Sequence, residues 1–271
     1  MVAAMRSQCR SLLVRGLTLG VLLGACFAGV RQTQAQHSAV EYFKQGSDWA
    51  KKGEYDRAIA DFNQAIKLDP NFADAYNLRG WAWNEKKEYD KAIADCDQAI
   101  RLKPDVANAY NLRGWLWNEK KEYDKAIADC NQAIRLDPKY VQAYDNRGDA
   151  WNETKKYDKA IADYNQAIKL APNYALAYNN LAWVQATCPD AHFRDGRKAV
   201  ENANRASQLS GGKEADYIDT LAAAYAENGD FGKAKEWEAK TIELLTDEKV
   251  KEECRSRLRL YEQGKPYRQE P

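Results

Sequence analysis

ADAYNLRGWAWNEKKEYDKAIADCDQAIRLKPDV (Ala73–Val106) runs directly into ANAYNLRGWLWNEKKEYDKAIADCNQAIRLDPKY (Ala107–Tyr140), and the two stretches agree at 28 of 34 positions. Working outward, Pro70, Pro104, Pro138 and Pro172 each stand 34 residues after the last. A period of this length marks a stack of small supersecondary units rather than one globular core. Four regular units follow from it: 39–72, 73–106, 107–140 and 141–174. Such a stack offers a long surface and no ready-made catalytic pocket.

Each unit reads as two helices. The first carries Tyr76, Gly80 and Trp83 at spacings of four and three. The second carries Ala92, Ile93, Cys96, Ala99, Ile100 and Leu102 on a period near 3.6. Asn84–Glu88 forms the polar turn between them, and Asp90 is placed to cap the second helix. The proline stops that helix, because it lacks an N–H and disfavours a helical residue before it. Gly46, Gly80, Gly114 and Gly148 sit inside the first helices, where glycine costs about 1 kcal/mol against alanine. That repeated cost predicts close approach to the second helix at Ala58, Ala92, Ala126 and Ala160. Trp49, Trp83, Trp117 and Trp151 are expected in the core.

This pattern resembles the tetratricopeptide repeat. In unit two the resemblance is carried by Tyr76, Gly80, Trp83, Ala92, Cys96, Ala99 and Pro104, and in unit four by Tyr144, Gly148, Trp151, Ala160, Tyr164, Ala167 and Pro172. It implies an all-α fold, a right-handed α-solenoid of about six helix-turn-helix repeats closed by a C-terminal capping helix. The chain departs from the family at the residue before the helix-one glycine, where leucine is usual and Arg79, Arg113 and Arg147 stand here. Asp61, Asp95, Asp129 and Asp163 lie on a matching rung, as interhelical ion pairs or as separately solvated charges.

After Pro172 the period loosens. Residues 175–246 read as two divergent repeats, beginning with Ala175–Thr187, and Ala199 arrives five residues late. Residues 247–263 form the capping helix and 264–271 a tail. A cap is needed because the last repeat otherwise exposes its apolar face. Residues 186–268 (ATCPD, DTLAAAYAENGDF, GKPYR) are similar to a terminal module at the end of many bacterial proteins of this family. That resemblance implies a bacterial origin and no chemistry.

Arg6, Arg10 and Arg15 precede an apolar run from Gly16 to Val30, followed by small residues at Thr33 and Ala35. This describes a secretory signal peptide over residues 1–35, cleaved after Ala35, with 36–38 as a short linker. The run is short for a membrane span, which needs about 20 residues. Leu23-Gly24-Ala25-Cys26 resembles a bacterial lipobox and gives the alternative, a lipidated Cys26. The chain is expected to be exported, periplasmic or secreted, or in the alternative a lipoprotein of the cell envelope.

Without residues 1–35, which hold four arginines and no acid, 37 basic residues face 40 acidic ones. No basic stripe tracks phosphates, so nucleic acid is not an expected partner. Cys96 and Cys130 repeat at one register, farther apart than a disulfide allows, and are expected as buried thiols in the place of Phe62 and Tyr164. Cys188 and Cys254 lie in the irregular part, with pairing left open. His37 and His192 are the only histidines. Cys188 with His192 offers two ligands where a structural zinc needs four, so no metal is expected. No phosphate loop and no nucleophile beside a base appears, so no cofactor and no catalytic residue is expected.

In a solenoid of helix pairs, the first helices line the concave side. The residues expected there are Asn77, Trp81, Asn84, Asn111, Trp115, Asn118, Asn152, Asn179 and Trp183, with Asp74, Asn108, Gln142, Asp145, Asp149, Glu85, Glu119 and Glu153 beside them. Asparagine both donates and accepts, and pairs peptide backbone without reading side chains. Tryptophan adds flat apolar platforms, or packs against the next helix. The family's clamp for the acidic tails of cytosolic chaperones needs lysines where this chain has Phe43 and Asn108. The expected function is an exported, non-catalytic scaffold holding an extended peptide or protein segment. A lipid-anchored envelope assembly factor is the alternative, and a substrate-docking subunit of an enzyme complex a weaker one.

Overall fold

A computed structural model of the chain describes residues 38–212 and 214–269. The expected cleavage site after Ala35 and Cys26 lie outside the described residues. Thirteen α-helices and one short 3-10 turn make up the described secondary structure, with no strand among the described residues. The helices are α1 (Ala39–Lys51), α2 (Tyr55–Leu68), α3 (Ala73–Glu85), α4 (Tyr89–Leu102), α5 (Ala107–Glu119), α6 (Tyr123–Leu136), α7 (Val141–Glu153), α8 (Tyr157–Leu170), α9 (Ala175–Thr187), α10 (Gly196–Ser210), α11 (Ala215–Glu227), α12 (Phe231–Leu244) and α13 (Glu248–Glu262). The fold is an α-solenoid of helix-turn-helix repeats. None of these helices is long and apolar enough to cross a membrane.

The chain divides into two compact units at Glu88/Tyr89. In the first, α1 pairs with α2 and α2 packs on α3. In the second, each helix from α4 to α13 packs on its successor, and the odd-numbered helices α5, α7, α9 and α11 also lie against one another in sequence. Every proline of the period stands two residues beyond a helix end. Asp69, Asp137 and Ala171, which precede three of them, are extended, as a residue before proline must be.

The first and second helices meet over glycine. A Cβ on Gly114 would stand 2.8 Å from Cys130 Sγ, and one on Gly148 would stand 2.6 Å from the Tyr164 ring. The glycine thus faces the Phe62/Cys130/Tyr164 side chain and, at Gly46 and Gly114, also the carbonyl of the expected alanine, Ala58 at 3.1 Å and Ala126 at 3.3 Å from the same Cβ. All four described cysteines are buried free thiols, Cys188 and Cys254 included.

Arginine and aspartate pair within each regular repeat of the second unit. Arg113 Nε and Nη2 donate to Asp129 Oδ2 and Oδ1, both at 2.7 Å. Arg147 does the same to Asp163 at 2.7 and 2.6 Å. The third nitrogen of each reaches back to the preceding repeat, to Asp97 from Arg113 and to Asn131 from Arg147. One guanidinium therefore fixes both the helix pair and the step between repeats, a use that suits its planar fork of donors.

Two local expectations are corrected. Asp90 does not cap α4: it lies within the first turn, and its carboxylate pairs with Lys120 one repeat on, as Asp56 does with Lys86. An acid there still suits the helix dipole. The set of Trp49, Trp83, Trp117 and Trp151 is half-buried rather than core. One indole face packs inward, while Lys125 covers Trp117 at 4.6 Å and Lys159 covers Trp151 at 4.6 Å.

Candidate functional site

The first helices carry the site residues expected from sequence, and all nine are half-buried. Asn84, Asn118 and Asn152 occupy one register and Asn77 and Asn179 another; the Oδ1 of each is sealed from solvent and accepts no hydrogen bond. An unpaired buried acceptor costs about 1–3 kcal/mol; Asn77 and Asn84 each leave one in the first unit, and Asn118, Asn152 and Asn179 each leave one in the second. The amide nitrogens are partly used. Asn118 Nδ2 donates to the Asn146 carbonyl at 2.7 Å, and Asn146 Nδ2 donates to Asn111 Oδ1 at 2.9 Å. Asn111 thus spends its acceptor on joining α5 to α7. Trp81 and Trp115 each take the edge of a tyrosine, Tyr55 at 5.7 Å and Tyr89 at 6.1 Å, which fixes the indole planes.

Unit four breaks the pattern. Where units two, three and five have asparagine (77, 111, 179) it has Asp145, and where they have tryptophan (81, 115, 183) it has Asp149. At the same time Tyr164 replaces the cysteine of Cys96 and Cys130. These changes meet. Asp149 Oδ1 accepts from the Tyr164 hydroxyl at 2.8 Å and from Asn180 Nδ2 at 3.0 Å. Asp145 is fully buried, contrary to its expected groove-facing place, and accepts from Tyr174 and Asn180, both at 3.3 Å. Burial, and then the Asp149 carboxylate, hold the Asp145 carboxyl well above the ordinary range. Burial also raises Asp149, to about 6, against the pull of the Tyr164 hydroxyl and with Glu153 and Glu119 adding to the rise.

Beside this network lies a cleft of about 310 Å³. Trp115, Asn118 and Glu119 from α5 form one wall, Asp149 and Glu153 from α7 the other, with Tyr123 at the start of α6 and Lys121 in the turn before it. Tyr89 and Tyr123 donate to Glu119 and Glu153 at 3.4 and 3.1 Å, holding both carboxylates without neutralising them.

A second cluster closes the C-terminal end. Asp219, Glu238 and Cys254 bring three ligand-type atoms within 4.8 Å. The Arg257 guanidinium already occupies their centre. Its Nε donates to Asp219 at 3.0 Å and Glu238 at 3.3 Å, and its Nη2 to Asp219 at 3.0 Å and Cys254 Sγ at 3.1 Å. The fixed cation serves the role a metal would. Arg257 also lies against the rings of both Trp183 and Tyr267. Trp183, expected as a groove platform, is instead packed under Tyr267 of the tail, 6.0 Å away. The tail residues 264–269 are tied to α9, with Gln269 N–H donating to the Thr187 carbonyl at 2.9 Å and Arg268 to that of Ala186 at 3.3 Å.

Tyr123, Tyr164, Tyr174 and Asn180 were not among the expected site residues. The signal available for them was unit four's departure from its own repeat at 145, 149 and 164.

Three family models match the chain: tetratricopeptide repeat models over residues 43–107 and 107–140, and a TPR repeat model over 148–187. No curated protein sequence matches. Among solved structures, the chain is similar to one in the APC/C hetero-tetramer Cut9–Hcn1, with a TM-score of 0.74 at 17% identity, covering 84% of this chain and 44% of that one. It is similar to PilW, a widely conserved type IV pilus biogenesis factor (TM-score 0.66, 22% identity, 74% and 91% covered). It is also similar to pilF of Pseudomonas aeruginosa (TM-score 0.67, 19% identity, 80% and 96% covered). The chain spans less than half the length of the Cut9–Hcn1 chain it matches. At these identities the likeness is one of fold.

Proposed function

Because the chain belongs to the tetratricopeptide-repeat family, with repeat matches between residues 43 and 187, we propose that it is a non-catalytic interaction scaffold that holds an extended peptide or protein segment along its first helices. The supporting observation is a repeated first-helix asparagine whose Oδ1 has no partner: Asn77 and Asn84 in the first unit, Asn118, Asn152 and Asn179 in the second. On binding, each of these side chains turns its amide oxygen outward to take a backbone N–H, without regard to side chain. Trp81 in the first unit and Trp115 in the second serve as platforms; Trp183 is left out because the tail covers it. A fluorescent random-sequence peptide pool passed over immobilised protein tests this. Retention is expected to fall about thirtyfold in Asn118→Ala/Asn152→Ala, two bonds of roughly 1 kcal/mol each being lost. Equal retention, with unchanged helical circular dichroism, overturns the reading.

The proposal includes export, supported by the sequence of residues 1–35. Intact mass of the protein from its native host is expected to place Gln36 first. Leu23-Gly24-Ala25-Cys26 supports a second reading, a lipid-anchored envelope assembly factor, for which the same measurement gives an acylated Cys26.

A further inference from the structure

The α5/α7 cleft has more negative charge than anything near it balances. Glu119, Asp149 and Glu153 face it, and none forms an ion pair with a described residue; Lys121 is the one cation in the lining. The elevated Asp149 carboxyl reports the same imbalance, since Glu153 and Glu119 both contribute to it. A second feature of the cleft says what is missing. The Trp115 indole, its plane set by the Tyr89 edge, forms an aromatic wall beside the carboxylates. The substitutions that make this cleft acidic occur only in unit four, the other units holding Ser47, Trp81, Trp115 and Trp183 at the Asp149 position.

We propose that this cleft takes the guanidinium group of an arginine in the bound segment, stacked on Trp115 and held by Asp149, Glu119 and Glu153. The inference rests on the segment-holding reading above and names the partner's chemistry: extended and carrying an arginine. Arginine is favoured over lysine on two counts. Its planar cation stacks on an aromatic face. Its five N–H donors match a site with three carboxylates, where an ammonium has three donors.

Two probes separate the inference from the reading beneath it. The first is N-acetyl-L-argininamide, titrated by calorimetry against the full chain. The second is an uncharged Ala/Ser/Asn peptide with arginine, citrulline or lysine at its centre. The arginine peptide is expected to bind about tenfold more tightly than its neutral citrulline isostere, with lysine between them. Asp149→Asn is expected to erase the arginine–citrulline gap. Glu119→Gln, which leaves the Tyr164 network untouched, is expected to narrow the gap and guards against a folding defect in the first variant. Peptides that bind without preferring arginine overturn this inference and leave the scaffold reading standing. Binding of N-acetyl-L-argininamide without any peptide binding supports the cleft and overturns the scaffold reading. No binding of either probe overturns both.

Discussion

Two parts of the second unit solve the same problem differently. In the regular repeats, residues 107–174, an arginine sits at the rim of each helix pair. Arg113 and Arg147 keep 20% of their side-chain surface exposed and fork onto aspartates that keep 9%. In the C-terminal module, Arg257 keeps 12% and Glu238 none, and the guanidinium joins α11, α12 and α13 at one point. The rim pairs are copied, so any one of them holds only its own step. The C-terminal cluster is single, and the capping helix depends on it. Stability is therefore spread along the repeats and concentrated at the cap.

The largest effect expected follows from that contrast. Arg257→Leu strands the Asp219 carboxylate without a counter-charge, and breaking a buried ion pair on one side costs about 3–5 kcal/mol. The cap is expected to unfold first, seen as early hydrogen exchange across 215–262 while 107–170 stays protected. Uniform loss of protection along the unit would break the distinction between the two regions.

The pH dependence sharpens it. Burial, and then the Asp219 carboxylate, push Glu238 up to about 9, with Arg257 opposing. The folded chain holds a proton there that the unfolded chain releases near the ordinary glutamate value. Glu238 therefore contributes stability that is whole below about pH 4.5 and is lost as pH rises toward 9, at no more than about 1.4 kcal/mol per pH unit for one proton. Glu238→Gln, which cannot ionise, is expected to flatten that fall when urea midpoints are compared from pH 5 to 9. Parallel slopes in the two proteins would refute the assignment.

Arg113→Leu, which restores the family's usual residue, tests the other region. It removes three charge-assisted bonds, but the buried Asp129 serves one copied step and not the junction of three helices, so the expected loss is about 1–3 kcal/mol. A loss as large as that of Arg257→Leu, measured by the same denaturation, would erase the contrast between rim and centre.

Much of this was legible in the sequence because it is local. The 34-residue period placed the helices, and Ala175–Thr187 is both the expected and the observed span of α9. The Arg–Asp pairing follows from a spacing of 16 residues inside one repeat. What was illegible depends on residues brought together from afar. Trp183 reads as a groove tryptophan until Tyr267, far along the chain, folds over it. Asp90 reads as a cap until Lys120, 30 residues on, draws its carboxylate away. Asp145 reads as groove-facing, yet the hydroxyl of Tyr174 and the amide of Asn180 give it partners inside the stack. Periodicity assigns a residue to a face; it does not say which later element covers that face.

The smallest effect expected was in principle readable. Lys121 and Lys155 adopt the left-handed conformation, with φ of 60° and 59°, at the turn between the two helices of their repeats. At the same register of other repeats the chain uses Gly53 and Gly229, with φ of 76° and 84°. A side chain there is strained by about 1–2 kcal/mol, partly offset because glycine loses more freedom on folding. Lys155→Gly is therefore expected to stabilise by about 0.5–1 kcal/mol. Lys121→Gly is expected to do the same and, by removing the one cation from the α5/α7 cleft, to raise affinity for the arginine peptide. The pair separates backbone from charge: both variants shift the denaturation midpoint, and only the second shifts binding. If Lys155→Gly lowers the midpoint, the lysine stems contribute more to the turn than their backbone strain costs. The copied repeats would then owe part of their stability to side chains that periodicity alone reads as solvent.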